Sequence, residues 1–179
     1  TDESTNEPRN IIEKTIVEGV NAGLWRTDND TVMLADETEE TDDEALRKII
    51  VDALFGPEGI NDDLGRAISW FLAQDPLDGG WTRERVVEAL LNTRFADEVG
   101  ITRKAKYGSF QYWVCYLGFG WQVDVDESGN QGLLPDPTAY LRRRLPDLFD
   151  APGEEMAMSL FMRRLASLCP VFEAGRLRR

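Results

Sequence analysis

The chain has 179 residues, a formal net charge of −13, 42% hydrophobic residues and no histidine. That length suits one compact domain or two very small ones, and that apolar content argues against wholesale disorder. Without histidine there is no Ser-His-Asp or Cys-His nucleophile system, no imidazole base and no His-ligated zinc.

Residues 1–9 read as a frayed terminus. From Asn10, a plausible cap, the positions Ile11, Ile12, Thr15, Ile16 and Val20 have helical spacing, with Gly23 as the stop. Two β-prone runs, Leu24–Thr27 and Thr31–Leu34, flank the polar turn Asp28-Asn29-Asp30 and predict a hairpin. Helix, glycine, hairpin is the back half of a winged helix; an ordinary helix-hairpin corner is the alternative. Read as a half unit in a chain that begins at Thr1, it suggests a processed protein or a fragment of a longer one. Residues 35–44 form an acidic run that reads as a solvated linker and helix N-terminus. Thr41 or Asp42 then caps a helix over Asp43–Phe55 with Leu46, Ile49, Ile50, Ala53 and Leu54 on one face.

A second part begins near Asn61. The pattern predicts a helix over Asp63–Gln74 that buries Leu64, Ala67, Ile68, Phe71 and Leu72. After the Asp75–Gly80 loop, Thr82 caps a helix over Arg83–Asn92 with Val86, Val87, Ala89 and Leu90 inward. A third helix spans Lys106–Leu117 with Phe110, Trp113, Val114 and Leu117 at i, i+3, i+4 and i+7, and Gly118 ends it. Phe119–Asp126 alternates like a strand, and Leu133–Pro135 is a short return strand beyond a Gly-rich turn. Three helices followed by a hairpin is the winged helix-turn-helix layout, complete here. Beyond the prolines at 135 and 137, Thr138 is expected to cap a helix over Ala139–Leu145 that Pro146 closes. A last helix covers Gly153–Leu168, with Met156, Leu160, Phe161, Leu165 and Leu168 inward. The expected fold is therefore mainly α with small β hairpins, the second of two tandem winged-helix units. Its domains are 1–44 (a partial unit and acidic linker), 45–135 (the winged helix with a preceding helix) and 136–179 (a helical extension).

Charge is unevenly spread. Residues 1–63 carry 18 acidic and 5 basic side chains, whereas residues 64–179 carry 15 of each. Overall acidity disfavours bulk attraction to DNA, where Lys and Arg neutralise phosphates, but a local basic face in the second part remains open. No stretch approaches the ~20 apolar residues of a membrane span, and no signal peptide is visible. Cys115 and Cys169 are too few for a disulfide framework and read as buried small hydrophobes, which suits a reducing, cytoplasmic setting.

The chemistry points to holding rather than transforming. Asp124 and Asp126 share a strand face, but no Glu-x-Lys partner stands nearby, so a polar wing is preferred to a metal grip. No phosphate-binding glycine loop occurs. Arg103, Lys104 and Lys106 precede Tyr107, Ser109 and Gln111 at the start of the third helix, where a winged helix meets the major groove. These six are the candidate DNA-binding residues. Tyr112 and Tyr116 project away from the core stripe and suit a protein interface, as do Arg142, Arg143 and Arg144, although three consecutive helical residues cannot all face one partner.

Several phrases of the second part carry a resemblance. They are Ala67 to Pro76, Phe110-Gln111-Tyr112-Trp113, Leu117 to Trp121, Leu134 to Thr138, and Pro170-Val171-Phe172 with Gly175. Over residues 60–178 the chain resembles the DpdG family, a component of the restriction arm of clusters that install 7-deazaguanine bases in DNA. The resemblance implies a non-catalytic helper in a multi-protein phage-defence system and supplies no active-site residues. The expected function is a winged-helix adaptor without cofactor, metal or small-molecule substrate. It would bind other proteins of a defence complex, with DNA as a further partner left open. An acidic DNA mimic that blocks a DNA-binding enzyme is the alternative.

Overall fold

The computed structural model describes residues 13, 16–17, 19–20, 24–29, 31–34, 42–55, 62–78, 81–93, 104–127 and 129–178. The chain forms two compact units, Thr1–Ile60 and Asn61–Arg179. Both are mainly helical with small antiparallel sheets.

In the first unit, residues 13, 16–17 and 19–20 are helical. Strand β1 (Trp25–Asp28) pairs with β2 (Thr31–Leu34), Trp25 opposite Leu34. Asn29 turns the hairpin at φ +50°, a conformation that asparagine tolerates better than most residues. The Trp25 indole donates to the Ile16 carbonyl at 2.9 Å and lies over Gly19, where a Cβ would collide with the ring. One indole thus fastens the hairpin to the helical segment before it. Helix α1 (Asp43–Phe55) is capped by Asp42, whose carboxylate accepts from the Ala45 amide at 2.8 Å. It buries Ile50, Val51, Leu54 and Phe55, while Leu46, Ile49 and Ala53 of the expected stripe are half-buried. The predicted cap Asn10, the stop Gly23, Thr41 and most of the acidic run lie outside the described residues.

The second unit runs α2 (Asp62–Phe71), β3 (Trp81–Thr82), α3 (Arg83–Leu91), α4 (Lys104–Leu117), β4 (Gly120–Asp124), β5 (Gln131–Pro135), α5 (Thr138–Leu148), α6 (Met158–Leu168) and a 3-10 turn at Arg176–Arg178. Its sheet has the order β3-β5-β4, all antiparallel. Strand β3 was not expected. Trp81 pairs with Leu133 and Thr82 with Gly132, and a Cβ at Gly132 would press on the Trp81 backbone at 3.1 Å. The missing side chain is what lets the third strand approach. Thr82 still caps α3, accepting from the Arg85 amide at 3.3 Å. The Trp81 ring meets Trp70 edge-on at 5.8 Å and carries the Arg85 guanidinium 4.1 Å from its centroid.

Gly118 closes α4. At φ +79° it donates to Cys115, and Phe119 donates to Val114, which together satisfy two end carbonyls of the helix. The chain then passes to β4 with Phe119 fully buried. Phe119 stacks on Tyr140 of α5 at 4.5 Å, and both rings meet Phe172 of the tail, at 6.5 and 5.9 Å. The Tyr140 amide donates to the Gly118 carbonyl at 3.2 Å, so the start of α5 is seated on the end of α4.

Three C-terminal expectations are corrected. Helix α5 does not stop at Pro146 but runs to Leu148, because Tyr140, Arg144 and Leu148 share a buried face that continues past the proline. The missing N–H falls in the last turn, where it costs only one helical bond. Thr138 is helical rather than the cap; the Asp136 carboxylate accepts its amide at 2.9 Å. Helix α6 begins at Met158 rather than Gly153, since Gly153 adopts φ +83° and Ala157 is extended. Among the described residues, no helix is long and apolar enough to cross a membrane.

Replacing Phe119 with alanine is expected to cost about 3–5 kcal/mol, as for other large aromatics removed from a core. Urea unfolding would show a lower midpoint, and Phe119→Leu a smaller loss.

Candidate functional site

Helix α4 has two unlike faces. Tyr107, Phe110, Val114 and Leu117, spaced three, four and three residues apart, are buried. Phe110 meets Phe71 of α2 edge-on at 5.8 Å. Gly108, Ser109 and Tyr112 are exposed and Tyr116 is half-buried; Trp113, expected on the buried stripe, is only half-buried. The rings of Tyr112 and Tyr116, one helical turn apart, stack at 5.7 Å with 6° between their planes. Trp113 meets both edge-on, at 5.5 and 6.0 Å. These contacts hold the three rings in register as a firm aromatic platform, with Tyr112 59% exposed. One turn before it, a Cβ on Gly108 would meet no heavy atom within 4 Å. A glycine inside a helix costs about 1 kcal/mol relative to alanine, and no packing within the unit requires it here.

The candidate DNA-binding residues separate. Arg103 lies outside the described residues; Lys104 and Lys106 contribute backbone to the first turn of α4. Ser109 is exposed and Gln111 half-buried. Tyr107 is a correction: it is 5% exposed, and its buried hydroxyl has no hydrogen-bond partner among the described residues. Its spacing from Phe110, Val114 and Leu117 already assigned it to the core stripe. Burial pushes its pKa up to about 12, with Glu84 adding to the rise and Arg83 opposing it.

The arginine run also separates. Arg143 donates to the Leu117 carbonyl at the end of α4. Arg144 is 3% exposed, donates to the Tyr140 hydroxyl at 3.3 Å and pairs with Asp147 at 3.2 Å. Arg144 thus belongs to the interior of the unit, while Arg143 is half-buried and tied to the end of α4. Arg142 is exposed. Trp121 of β4, not among the expected site residues, is 57% exposed; its place in an alternating strand was its only signal.

Reactive groups are held in their neutral forms. Burial raises the Cys115 thiol pKa, and burial likewise raises that of Tyr140, with Cys169 adding to the effect. Among the described residues, no group of three or more Cys, Asp or Glu is placed to hold a metal ion. Asp126 instead closes the β4–β5 turn, accepting from the amide and side chain of Asn130 at 3.2 and 2.7 Å.

Compared with known proteins, the chain matches a family model described as DpdG-like over residues 1–179. No curated protein and no solved structure matches it.

Two outcomes test this geometry. Gly108→Ala is expected to raise stability by about 1 kcal/mol, read from urea unfolding. Tyr107 has a folded pKa above its unfolded value near 10, so its contribution is complete below pH ~10 and is lost as pH rises towards about 12. Tyr107→Phe should therefore lose less stability than wild type across that window. At pH 7 it should be neutral or stabilising, since it removes an unsatisfied hydroxyl.

Proposed function

The chain belongs to the DpdG-like family, and from that membership we propose that it is a non-catalytic winged-helix adaptor of the Dpd modification and restriction system. It binds a partner protein through the outward face of α4. The order α2-β3-α3-α4-β4-β5, with β3 joining the hairpin in a β3-β5-β4 sheet, supports the winged-helix reading. In that arrangement α4 holds the recognition-helix position and β4–β5 is the wing.

The observation that carries the proposal is the stacked platform of Tyr112, Trp113 and Tyr116 on that helix. Aromatic rings with a polar tip suit the desolvated centre of a protein interface, and their fixed geometry lowers the entropy lost on binding. Ser109 and Gln111 would form its polar rim. A net charge of −13 weighs against phosphate contacts as the main source of affinity. The absence of histidine, and the rise in the Cys115 pKa that keeps its thiol protonated, support a role without catalysis.

Co-purification with the other products of the same modification system tests the adaptor role. The double variant Tyr112→Ala, Tyr116→Ala is expected to weaken that association at least ~30-fold, about 2 kcal/mol, while the unfolding midpoint stays close to wild type. Undiminished association would overturn the proposal. A gel shift on duplex DNA at low salt separates the DNA version. Binding lost on changing Arg103, Lys104 and Lys106 to alanine would move α4 from a protein surface to a DNA groove.

A further inference from the structure

We propose that strand β4 is a self-association edge, along which two copies of the chain pair antiparallel into one continuous sheet. The order β3-β5-β4 leaves one long side of β4 without a neighbouring strand among the described residues. Asp136 donates to the Phe119 carbonyl and Val125 to the Asn130 carbonyl, so odd-numbered residues bond β5 and the backbone groups of even-numbered ones point away from it. Gln122 and Asp124 are exposed whereas Gly120 is buried, so the open stretch is the far part of the strand. Exposed edges are usually blunted by lysine, proline or a bulge. Strand β4 has none of these, and its register with β5 is regular from Gly120 to Asp124. The opposite edge, β3, is only 2 residues long.

An open row of backbone donors and acceptors fixes the occupant as an extended strand, and the side chains of β4 select a second β4. A Cβ on Gly120 would point at Val114 and Phe71, at 3.0 and 3.2 Å, so even-numbered residues face the helices. Val125 lies across Gly132, the partner of Val123, so Trp121, Val123 and Val125 share the outer face. Trp121 is 57% exposed there. A two-fold axis at Val123 sets Val123 against the partner's Val123, Trp121 against the partner's Val125, and Gln122 against the partner's Asp124. Each Gln122 then exchanges both outward backbone bonds with the partner's Asp124, whose carboxylate meets an amide rather than a like charge. The apolar strip of the outer face becomes continuous across the axis. An axis at Asp124 would oppose two carboxylates, and one at Gln122 would need the backbone of buried Gly120. Strand β4 also lies in the stretch 64–179, which carries 15 acidic and 15 basic side chains, so no charge excess of that stretch opposes the pairing. The α4 platform takes no part, and the inference does not rest on the role given to it.

Sedimentation velocity of the full chain is expected to show a monomer–dimer equilibrium with a Kd on the order of 10–100 µM, as suits a small interface. Gln122→Pro removes an outward N–H from each copy without touching the ladder to β5, and Val123→Lys opposes two ammonium groups at the axis. Each should raise the Kd at least ~tenfold. Circular dichroism and the urea midpoint check that both variants keep the fold. The double variant Tyr112→Ala, Tyr116→Ala should dimerise like wild type. Under mild oxidation Val123→Cys should cross-link between copies, since residues facing each other at a non-hydrogen-bonded antiparallel pair lie within disulfide reach. Gln122→Cys, at the more exposed position, should cross-link far more slowly. A chain still monomeric at ~500 µM, well above that Kd, would overturn the proposal. So would a dimer that survives both Gln122→Pro and Val123→Lys, or equal cross-linking of the two cysteine variants.

Discussion

The stack of Phe119 on Tyr140 is the contact on which the second unit depends. Phe119 is the second residue after α4 and leads into β4, so its ring sits where helix, sheet and C-terminal extension converge. Gly118 makes this geometry available, because its left-handed backbone turns the chain sharply enough to bring the next residue inward. The joint is polar as well as apolar. Tyr140 donates its amide to Gly118, Arg143 donates to Leu117, and the Tyr140 hydroxyl reaches the Leu168 carbonyl at 3.5 Å. Carbonyls at the ends of α4 and α6 are thus satisfied by groups of α5, whose own last carbonyl, Leu148, accepts from Arg164 at 2.7 Å.

This arrangement explains why arginines that look like a surface feature in the sequence are mostly structural. The end of a helix needs donors, and arginine supplies several at the end of a long stem. Arg143 and Arg164 each span from one helix to the end carbonyl of another. Arg144 is buried because Tyr140 and Asp147 together occupy its guanidinium. The joint also holds α4 by its C-terminal end, with its buried stripe turned to α2 and the sheet. The Tyr112 platform is left on the opposite side as a consequence.

Much of the fold was legible because its signals are local. The helical spacing of Phe110, Val114 and Leu117, the stop at Gly118, the cap at Thr82 and the turn between β1 and β2 all depend on residues a few positions apart. What was misread depends on distant residues. Two-residue β3 exists because Gly132, some fifty positions away, leaves room for its backbone. Helix α5 outlasts Pro146 because Leu148 has a buried place to fill, and a local rule about proline does not weigh that gain. Tyr107 is the exception: it was placed on the surface by its position at the start of the third helix, although its spacing matched the buried stripe.

The sequence by itself determined the order of the helices and of the β4–β5 hairpin in the second unit, the outward placement of Tyr112 and the lack of histidine chemistry. Those follow from backbone periodicity and residue type, which need no knowledge of neighbours. Only the tertiary structure decided which of three adjacent arginines remains outward, that the rings of Tyr112, Trp113 and Tyr116 lock into one platform, and that β4 stands at the edge of its sheet. A charge or a ring is committed or free according to what packs against it, and that is set by residues remote along the chain.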